Sequence, residues 1–167
     1  MRVSKRFSAG VLIVLAAVLP GLAQMKTIED QYHVLKLRIP EAWTTEITGI
    51  STKTLYALSP DGKIRLAVSS DKRFHKTFQD YVEAYVDSLV KLDGWSYERS
   101  EKREEGGRDI IFIRGTKMGH GRKIVDDYYF FFTETHQGFI QFTCLEGDLS
   151  VNEVIYELVI MSLEWNS

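Results

Sequence analysis

The chain has 167 residues, of which 44% are hydrophobic, 12% aromatic and 26% charged. A sequence this rich in apolar and aromatic side chains is neither disordered nor collagen-like, and its length suits a single domain. The formal charge of −2 argues against a nucleic-acid-binding protein, which needs a basic surface, and the single cysteine excludes an internal disulfide.

Residues 1–23 have the layout of a secretory signal peptide. The segment opens with three basic residues, Arg2, Lys5 and Arg6. An unbroken apolar run from Val11 to Leu19 follows, Pro20 ends it, and small residues lead to a predicted cleavage site after Ala23. The alternative is a membrane anchor, but the run is about half of the ~20 residues needed to span hydrocarbon. The residue directly after the cleavage site is Gln24 and not Cys, so we expect no lipoprotein anchor.

The remaining residues, 24–167, predict a single domain that is periplasmic or secreted. The full chain has a formal charge of −2, and residues 24–167, which lack the three basic residues of the leader, have a formal charge of −5. No later apolar run is long enough to span a bilayer, so we expect no membrane span after signal cleavage.

The first half of this domain predicts strands. Apolar and basic residues alternate from Leu35 to Ile39, which is typical of a strand with one buried face. A hairpin follows, with strands at 54–58 and 64–68. Its turn, Ser59-Pro60-Asp61-Gly62, has Pro, Asp and Gly where a tight turn favours them.

An amphipathic helix comes next. Apolar side chains recur at steps of three and four from Phe78 to Val90, and polar side chains occupy the opposite side. Thr77 is the predicted N-cap, and Gly94 is the predicted C-terminal stop.

The centre of the chain is rich in strands. Segment 95–101 alternates and is highly charged, which indicates an edge strand. Turns are predicted at 106–107 and at 135–138, the second leading into a returning strand. The runs 110–113 and 128–132 are apolar on both faces, and such strands must be covered on both sides.

The last element predicts a second helix. Ser150 to Glu153 has the pattern of a capping box. The residues that follow helical spacing form a wide stripe, typical of a buried helix: Val151, Val154, Ile155, Leu158, Val159, Ile160, Met161 and Ser162. We therefore predict an α+β fold, in which an antiparallel β-sheet of six or seven strands is sandwiched between helices in an α/β/α arrangement.

One strand runs into Ile39-Pro40-Glu41-Ala42-Trp43, a hairpin turns through Leu58–Gly62, and the final helix ends Met161-Ser162-Leu163. With these motifs, the order of elements resembles the PsbP-like superfamily, which includes exported bacterial PsbP-like and DcrB-like proteins. The resemblance covers about residues 30 to 165. It implies a PsbP-like α/β/α sandwich and a non-enzymatic role in partner binding or assembly. The family often has Gly where this chain has Ala42.

A divalent-cation site is one hypothesis for function. His120 lies in a Gly-His-Gly loop, six residues before Asp126, and Asp127 directly follows Asp126. Imidazole and carboxylate groups bind such cations. The alternative, which we favour, is a solvated hairpin loop followed by a strand, because metal sites need three or four converging ligands. We expect no cofactor.

A catalytic thiol is another hypothesis. Cys144 lies near a strand end with His136 across a predicted hairpin, and a Cys–His pair can form a thiolate nucleophile. A packed core thiol is the simpler interpretation, because no third group orients the pair. The sequence has no hydrolase, phosphate-loop or dinucleotide-binding motif, so we predict that the protein is not an enzyme.

Two features are candidates for partner binding. The basic residues Lys117, Arg122 and Lys123 form a loop that would suit an acidic partner, although a solvated hairpin tip explains them more simply. Trp43 is a candidate anchor, although it also suits a structural plug over the sheet end. The same role is open to the other tryptophans, Trp95 and Trp165.

The leading hypothesis is an exported, non-catalytic domain that binds a protein partner in the cell envelope or supports envelope assembly. The alternative is a small-ligand or lipid carrier whose pocket is lined by the aromatic residues 128–132. An enzyme that uses Cys144 or the His120 cluster comes third. A binding domain requires an exposed apolar patch, whereas an enzyme requires titratable groups that converge in a cleft.

Overall fold

A computed structural model of the chain describes residues 24–49 and 53–166. The predicted signal peptide, residues 1–23, lies outside the described residues. The strands are β1 (Met25–Glu29), β2 (Leu35–Pro40), β3 (Thr44–Thr48), β4 (Thr54–Leu58), β5 (Arg65–Lys72), β6 (Ser96–Glu105), β7 (Arg108–Gly119), β8 (Arg122–Phe132), β9 (His136–Leu145) and β10 (Glu164–Trp165). The helices are α1 (Phe78–Asp93) and α2 (Leu149–Ile160), the second preceded by a 3-10 turn at Glu146–Asp148. Neither helix combines the length and the apolar character needed to cross a bilayer.

Seven strands form one sheet in the order β3-β4-β5-β9-β8-β7-β6, and every neighbouring pair is antiparallel. The strands β1, β2 and β10 form a separate antiparallel sheet with β2 in the middle. The predicted sheet of six or seven strands is therefore confirmed for the large sheet. The strand predicted at Leu35–Ile39 exists, but it belongs to the small sheet.

The central strands are covered on both faces, as their apolar sequences predicted. Rings in β8 alternate: Tyr128 and Phe130 point towards α1, whereas Tyr129 and Phe131 point to the opposite side. This alternation follows from the period of two in a strand. The aromatic run thus contributes to two separate cores, one on each side of the sheet.

Two elements cover the side opposite α1. The side chains of Leu35, Leu37 and Ile39 in β2 are fully buried there, and so are Val159 and Ile160 of α2. A helix on this side was predicted correctly, but the small sheet supplies the rest of the cover. The fold class is α+β, with a mostly antiparallel sheet between layers that contain the helices.

α1 covers only about half of the sheet face on which it packs. The apolar core beneath α1 contains side chains from β7, β8 and β9 and none from β3 or β4, and β5 meets α1 where Ser69–Asp71 line a small cavity with Tyr81 and Tyr85. The strand β3 is exposed along its whole length. One end of the large sheet is therefore open on the α1 side.

The predicted ends of α1 are confirmed. The Thr77 hydroxyl accepts a hydrogen bond from the backbone N–H of Asp80 at 3.1 Å, which satisfies a donor that the first helical turn leaves free. Gly94 ends the helix with φ 62°, a left-handed conformation that glycine adopts without steric cost.

Two local predictions are wrong. The capping box at Ser150–Glu153 does not form, because α2 already begins at Leu149 and no side chain caps its start. The turn predicted at 135–138 lies earlier, since β9 begins at His136 and the hairpin reverses at 133–135. The Thr133 hydroxyl accepts a hydrogen bond from the backbone N–H of His136 at 2.8 Å and closes this turn.

Candidate partner-binding site

Two of the three motifs on which the family resemblance rests, segment 39–43 and the 58–62 turn, meet in one cleft. It lies between the segment 40–43 that follows β2, the β4–β5 turn and the first turn of α2, and its volume is about 420 Å³. Its walls are largely apolar and include Pro40, Trp43, Pro60, Ile64, Val151 and Ile155. Segments far apart in the sequence thus build one concave surface.

Hydrogen bonds fix the turn on one side of the cleft. The hydroxyl of Ser59 donates to the Asp61 carboxylate at 2.7 Å and accepts from the backbone N–H of Ile64 at 2.9 Å. The Ser59 bond, helped by the backbone N–H of Lys63, holds the pKa of Asp61 below its usual value. The turn is therefore preorganised.

One ion pair crosses the cleft. The Lys63 ammonium lies 3.0 Å from the Asp148 carboxylate at the start of α2, and this hydrogen bond raises the pKa of Lys63. Both groups are partly exposed, so the pair contributes little to stability. It does set a polar boundary beside the apolar walls.

Trp43 is buried, with only 4% of its surface exposed. Its ring belongs to the core beneath α2 and forms part of the cleft wall. The structural-plug interpretation fits this position, and a role of Trp43 in partner binding stays a prediction. Trp95 is also buried, and Trp165 is partly buried against Phe131.

An apolar stripe on α2 and its C-cap residue is exposed to solvent. Its members are Val151, Val154, Leu158 and Met161, which are 49%, 39%, 40% and 75% exposed. We predicted these residues as part of a buried stripe, and that prediction is wrong. The face that packs on the sheet instead carries Asn152, Tyr156, Val159 and Ile160.

The spacing of this stripe is three, four and three residues. That is the a/d spacing with which one helix packs against another in a coiled coil. The first member, Val151, also lines the cleft. The cleft and the α2 stripe therefore form one continuous apolar surface.

Acidic residues next to the stripe already have partners. Glu153 lies 2.7 Å from a guanidinium nitrogen of Arg114. Glu157 accepts two hydrogen bonds from Arg103, at 3.0 and 2.7 Å, and these bonds raise the pKa of that arginine. The stripe can therefore be buried by a partner without leaving these carboxylates unpaired.

The structure does not bring the metal-site candidates together. His120 lies at the tip of the β7–β8 hairpin, whereas Asp126 and Asp127 are buried further along β8 and point to opposite faces of the sheet. Asp126 accepts hydrogen bonds from Gln141 at 2.9 Å and Thr143 at 2.6 Å. Within residues 24–49 and 53–166, no three or more His, Cys, Asp or Glu residues are grouped so as to hold a metal ion.

The hypothesised Cys144–His136 pair does not form, and the core-thiol interpretation agrees with the structure. Both residues lie in β9, His136 beside Lys72 at its start and Cys144 beside Val125 near its end. Cys144 is buried, and burial raises the pKa of its thiol. The surroundings of Cys144 therefore disfavour the thiolate that a nucleophile needs.

Solved structures identify the fold. No protein-family model matches the sequence, and no curated protein is similar enough in sequence to count as a relative. The PsbP protein (CyanoP) of Synechocystis sp. PCC 6803 superposes with a TM-score of 0.66 over 87% of this chain and 95% of its own, at 12% identity. This chain has a PsbP-like fold.

Other proteins share the PsbP-like fold. LpqN of Mycobacterium tuberculosis, which is involved in cell envelope biogenesis, matches with a TM-score of 0.59, 9% identity and coverage of 86% of this chain and 91% of its own. The Saccharomyces cerevisiae Ran-binding protein Mog1p matches with a TM-score of 0.58, 8% identity and coverage of 85% and 95%. These identities establish the fold, and fold alone does not fix function.

The basic loop of this PsbP-like fold is largely neutralised. Lys117 lies 3.4 Å from Asp126, and Lys123 lies 2.7 Å from Glu146, which raises the pKa of Lys123. Arg122 is exposed at the hairpin tip. These contacts favour the solvated-tip interpretation over an acidic-partner surface.

The aromatic rings of the PsbP-like core are packed against one another. Tyr128, Phe130 and Phe139 contact Tyr85 of α1 at centroid distances of 5.0–5.7 Å. A cavity lined in part by Tyr85 and Phe139 has a volume of about 170 Å³. Ligand pockets usually hold about 300–1,000 Å³, so this space is small for a carrier.

Proposed function

We propose that this protein is an exported, non-catalytic domain that binds a protein partner in the cell envelope or supports envelope assembly. The main support for this proposal is the exposed apolar stripe on α2, which continues into the cleft at Val151. A monomeric domain gains nothing from four apolar side chains in a row facing water, whereas a partner that covers them gains roughly 25 cal/mol per Å² of apolar area.

The stripe favours an amphipathic helix as the element of the partner that binds. From Val151 to Met161 it spans ten helical steps, about 15 Å. Its a/d spacing matches the seam of a second helix packed alongside. The cleft at its N-terminal end has room for a large anchoring side chain, the usual centre of a binding hot spot.

A binding role also fits what similar structures do. One protein of this fold is a Ran-binding protein, and another is involved in cell envelope biogenesis. In the part of the chain that the structure describes, the titratable residues lining the cleft are Asp61, which is held by Ser59, and the Lys63–Asp148 ion pair. Both points support binding rather than catalysis.

Export is the part of this proposal that rests on residues 1–23 alone. The basic start, the apolar run and the small residues before Gln24 support it. Expression in a Gram-negative host and intact mass measurement of the periplasmic fraction test it. A mass that starts at Gln24 supports export with cleavage, and a cytoplasmic chain that retains residues 1–23 overturns it.

Site-specific photo-crosslinking in envelope extracts tests the binding surface. A photo-reactive residue at Val154 should capture a partner through a peptide of helical, amphipathic sequence, and Leu158→Ser should abolish that capture. The matched control is Leu92→Ser, which changes an exposed leucine on α1. Circular dichroism confirms that both variants fold.

Two outcomes contradict the proposal. One is capture that Leu158→Ser and Leu92→Ser reduce equally. The other is a dimer of the pure protein, seen by light scattering, that Leu158→Ser dissociates, because a second copy of this chain would then be what covers the stripe.

A further inference from the structure

The two edges of the large sheet differ in protection. The edge strand β6 is densely charged and has a bulge between Tyr97 and Arg99. Charges and bulges are the devices that keep an edge strand from pairing with other chains. Its charged residues are Glu98, Arg99, Glu101, Lys102, Arg103, Glu104 and Glu105.

The other edge strand, β3, has none of these devices except one charge. Its sequence, Thr44-Thr45-Glu46-Ile47-Thr48, pairs with β4 in unbroken register from Thr44 opposite Leu58 to Thr48 opposite Thr54. β-branched residues of this kind favour extended backbone. In the described ranges its outer side pairs with no strand, and all five residues are exposed.

A groove lies beside this edge on the half of the sheet that α1 leaves open. Its volume is about 330 Å³, and the side chains that line it include Thr44, Glu46, Thr48, Tyr56, Leu58 and Arg65. These residues share one face, because Glu46 lies opposite Tyr56 and Thr44 opposite Leu58. An added strand would place every second side chain next to this row.

We propose that β3 binds an extended segment of another protein by strand addition, with a basic side chain of that segment opposite Glu46. This surface is separate from the cleft and the α2 stripe, so the inference goes beyond the proposed function. Main-chain hydrogen bonds supply affinity in this mode, and alternate side chains supply specificity.

Charge selects the occupant. Glu46 makes no ion pair with another described residue, and its cross-strand neighbour is the ring of Tyr56. Opposite charges directly across two strands are favourable, and like charges are unfavourable. A second copy of this chain, paired antiparallel and centred on Glu46, would place Glu46 opposite Glu46, which argues for a partner with Lys or Arg at that position.

Selection from a displayed library of short linear peptides tests the proposal on the purified protein. We expect the selected peptides to alternate β-branched residues and to carry Lys or Arg at one fixed position. Glu46→Lys should weaken binding of the best peptide about tenfold and shift a fresh selection towards Asp or Glu at that position. Lys102→Glu, on the protected edge, is the matched control and should leave binding within about twofold.

Amide hydrogen exchange locates the peptide independently of any variant. Added peptide should slow exchange within Thr44–Thr48, and Leu158→Ser should not alter this effect. Protection confined to α2 or the cleft would overturn the proposal, as would binding that Glu46→Lys leaves unchanged. A dimer of the pure protein that Glu46→Gln strengthens would show that a second copy pairs with β3, and that also overturns it.

Discussion

Arg114 and Asp127 form a two-bond ion pair inside the core. The guanidinium Nε donates to Oδ1 at 2.6 Å, and Nη2 donates to Oδ2 at 2.5 Å. The two residues lie opposite each other in β7 and β8. The remaining nitrogen, Nη1, lies 2.7 Å from Glu153 of α2, so the pair also ties α2 to the sheet. The hydrogen bonds to Asp127 raise the pKa of Arg114, which therefore stays charged.

Removal of one partner from this pair should be strongly destabilising. Asp127→Ala leaves the buried guanidinium with only the partly exposed carboxylate of Glu153, and breaking a buried pair in this way costs about 3 kcal/mol or more. Urea unfolding followed by circular dichroism measures the loss. The control is Lys91→Ala, which removes an ion pair with Asp87 at 3.0 Å in which both side chains are about 70% exposed. That change should cost less than about 0.5 kcal/mol. Equal losses in both variants would contradict the role of burial.

Gly115 gives a second prediction, because the indole ring of Trp95 lies directly on it. A Cβ atom at this position would lie 2.1 Å from a ring carbon of Trp95, and that ring is buried. Gly115→Ala must therefore displace a packed tryptophan, at a cost of about 1–3 kcal/mol. Thermal unfolding and Trp fluorescence measure it.

The control for this prediction is Gly147→Ala, where a Cβ atom would meet nothing within 4 Å and the backbone is not left-handed. It should leave the melting temperature nearly unchanged. If the two variants have the same melting temperature, the close contact between Gly115 and Trp95 does not restrict side-chain packing on the α1 side of the sheet.

Periodicity predicted most of the fold because the relevant elements have one apolar side. The alternation from Leu35 to Ile39 and the three-four spacing of α1 each have a single phase that places apolar residues inside. In α2 the spacing has no single phase, since Val151 and Leu158 are as apolar as Val159 and Ile160. The buried side also contains Asn152 and Tyr156, which a binary pattern assigns to solvent.

The candidate site was harder to predict than the fold. Its walls come from the segment 40–43, the turn 59–62 and the start of α2, and no local pattern shows that these segments meet. β10 has two residues, too few for any period to show. The pair Asp126-Asp127 is different, because adjacent residues of a strand point to opposite faces. Applied to the strand that contains both residues, that rule argues against a shared metal site.

The Cys144 thiol should react slowly in the folded protein. Burial raises its pKa and keeps reagents away, so a disulfide reagent should label it only at the rate at which the structure opens. Absorbance of the released thiol measures the rate in buffer and in urea. Leu92→Cys in a Cys144→Ala background is the accessible control and should react at once, because Leu92 is exposed. Rapid labelling of folded Cys144 near neutral pH would restore the hypothesis of a reactive thiol.

The stability of the fold should fall steeply at alkaline pH. Burial raises the pKa of five tyrosines, which lie on both sides of the sheet: Tyr81, Tyr85, Tyr128, Tyr129 and Tyr156. Unfolded phenols lose their protons near pH ~10, whereas these groups keep theirs in the native state. Above that pH the unfolded state is therefore favoured, by about 1.4 kcal/mol per pH unit for each group.

An alkaline titration followed by phenolate absorbance and circular dichroism tests this prediction. The absorbance of these five groups should rise together with the loss of structure, in one step. Tyr156→Phe should make the fall in unfolding free energy with pH less steep, whereas Tyr97→Phe, which changes an exposed ring, should leave the slope unchanged. Phenolate absorbance from all eight tyrosines while the far-ultraviolet spectrum is still native would show that the buried rings are accessible to hydroxide. The packing of α1 and α2 on the sheet would then be looser than their contacts indicate.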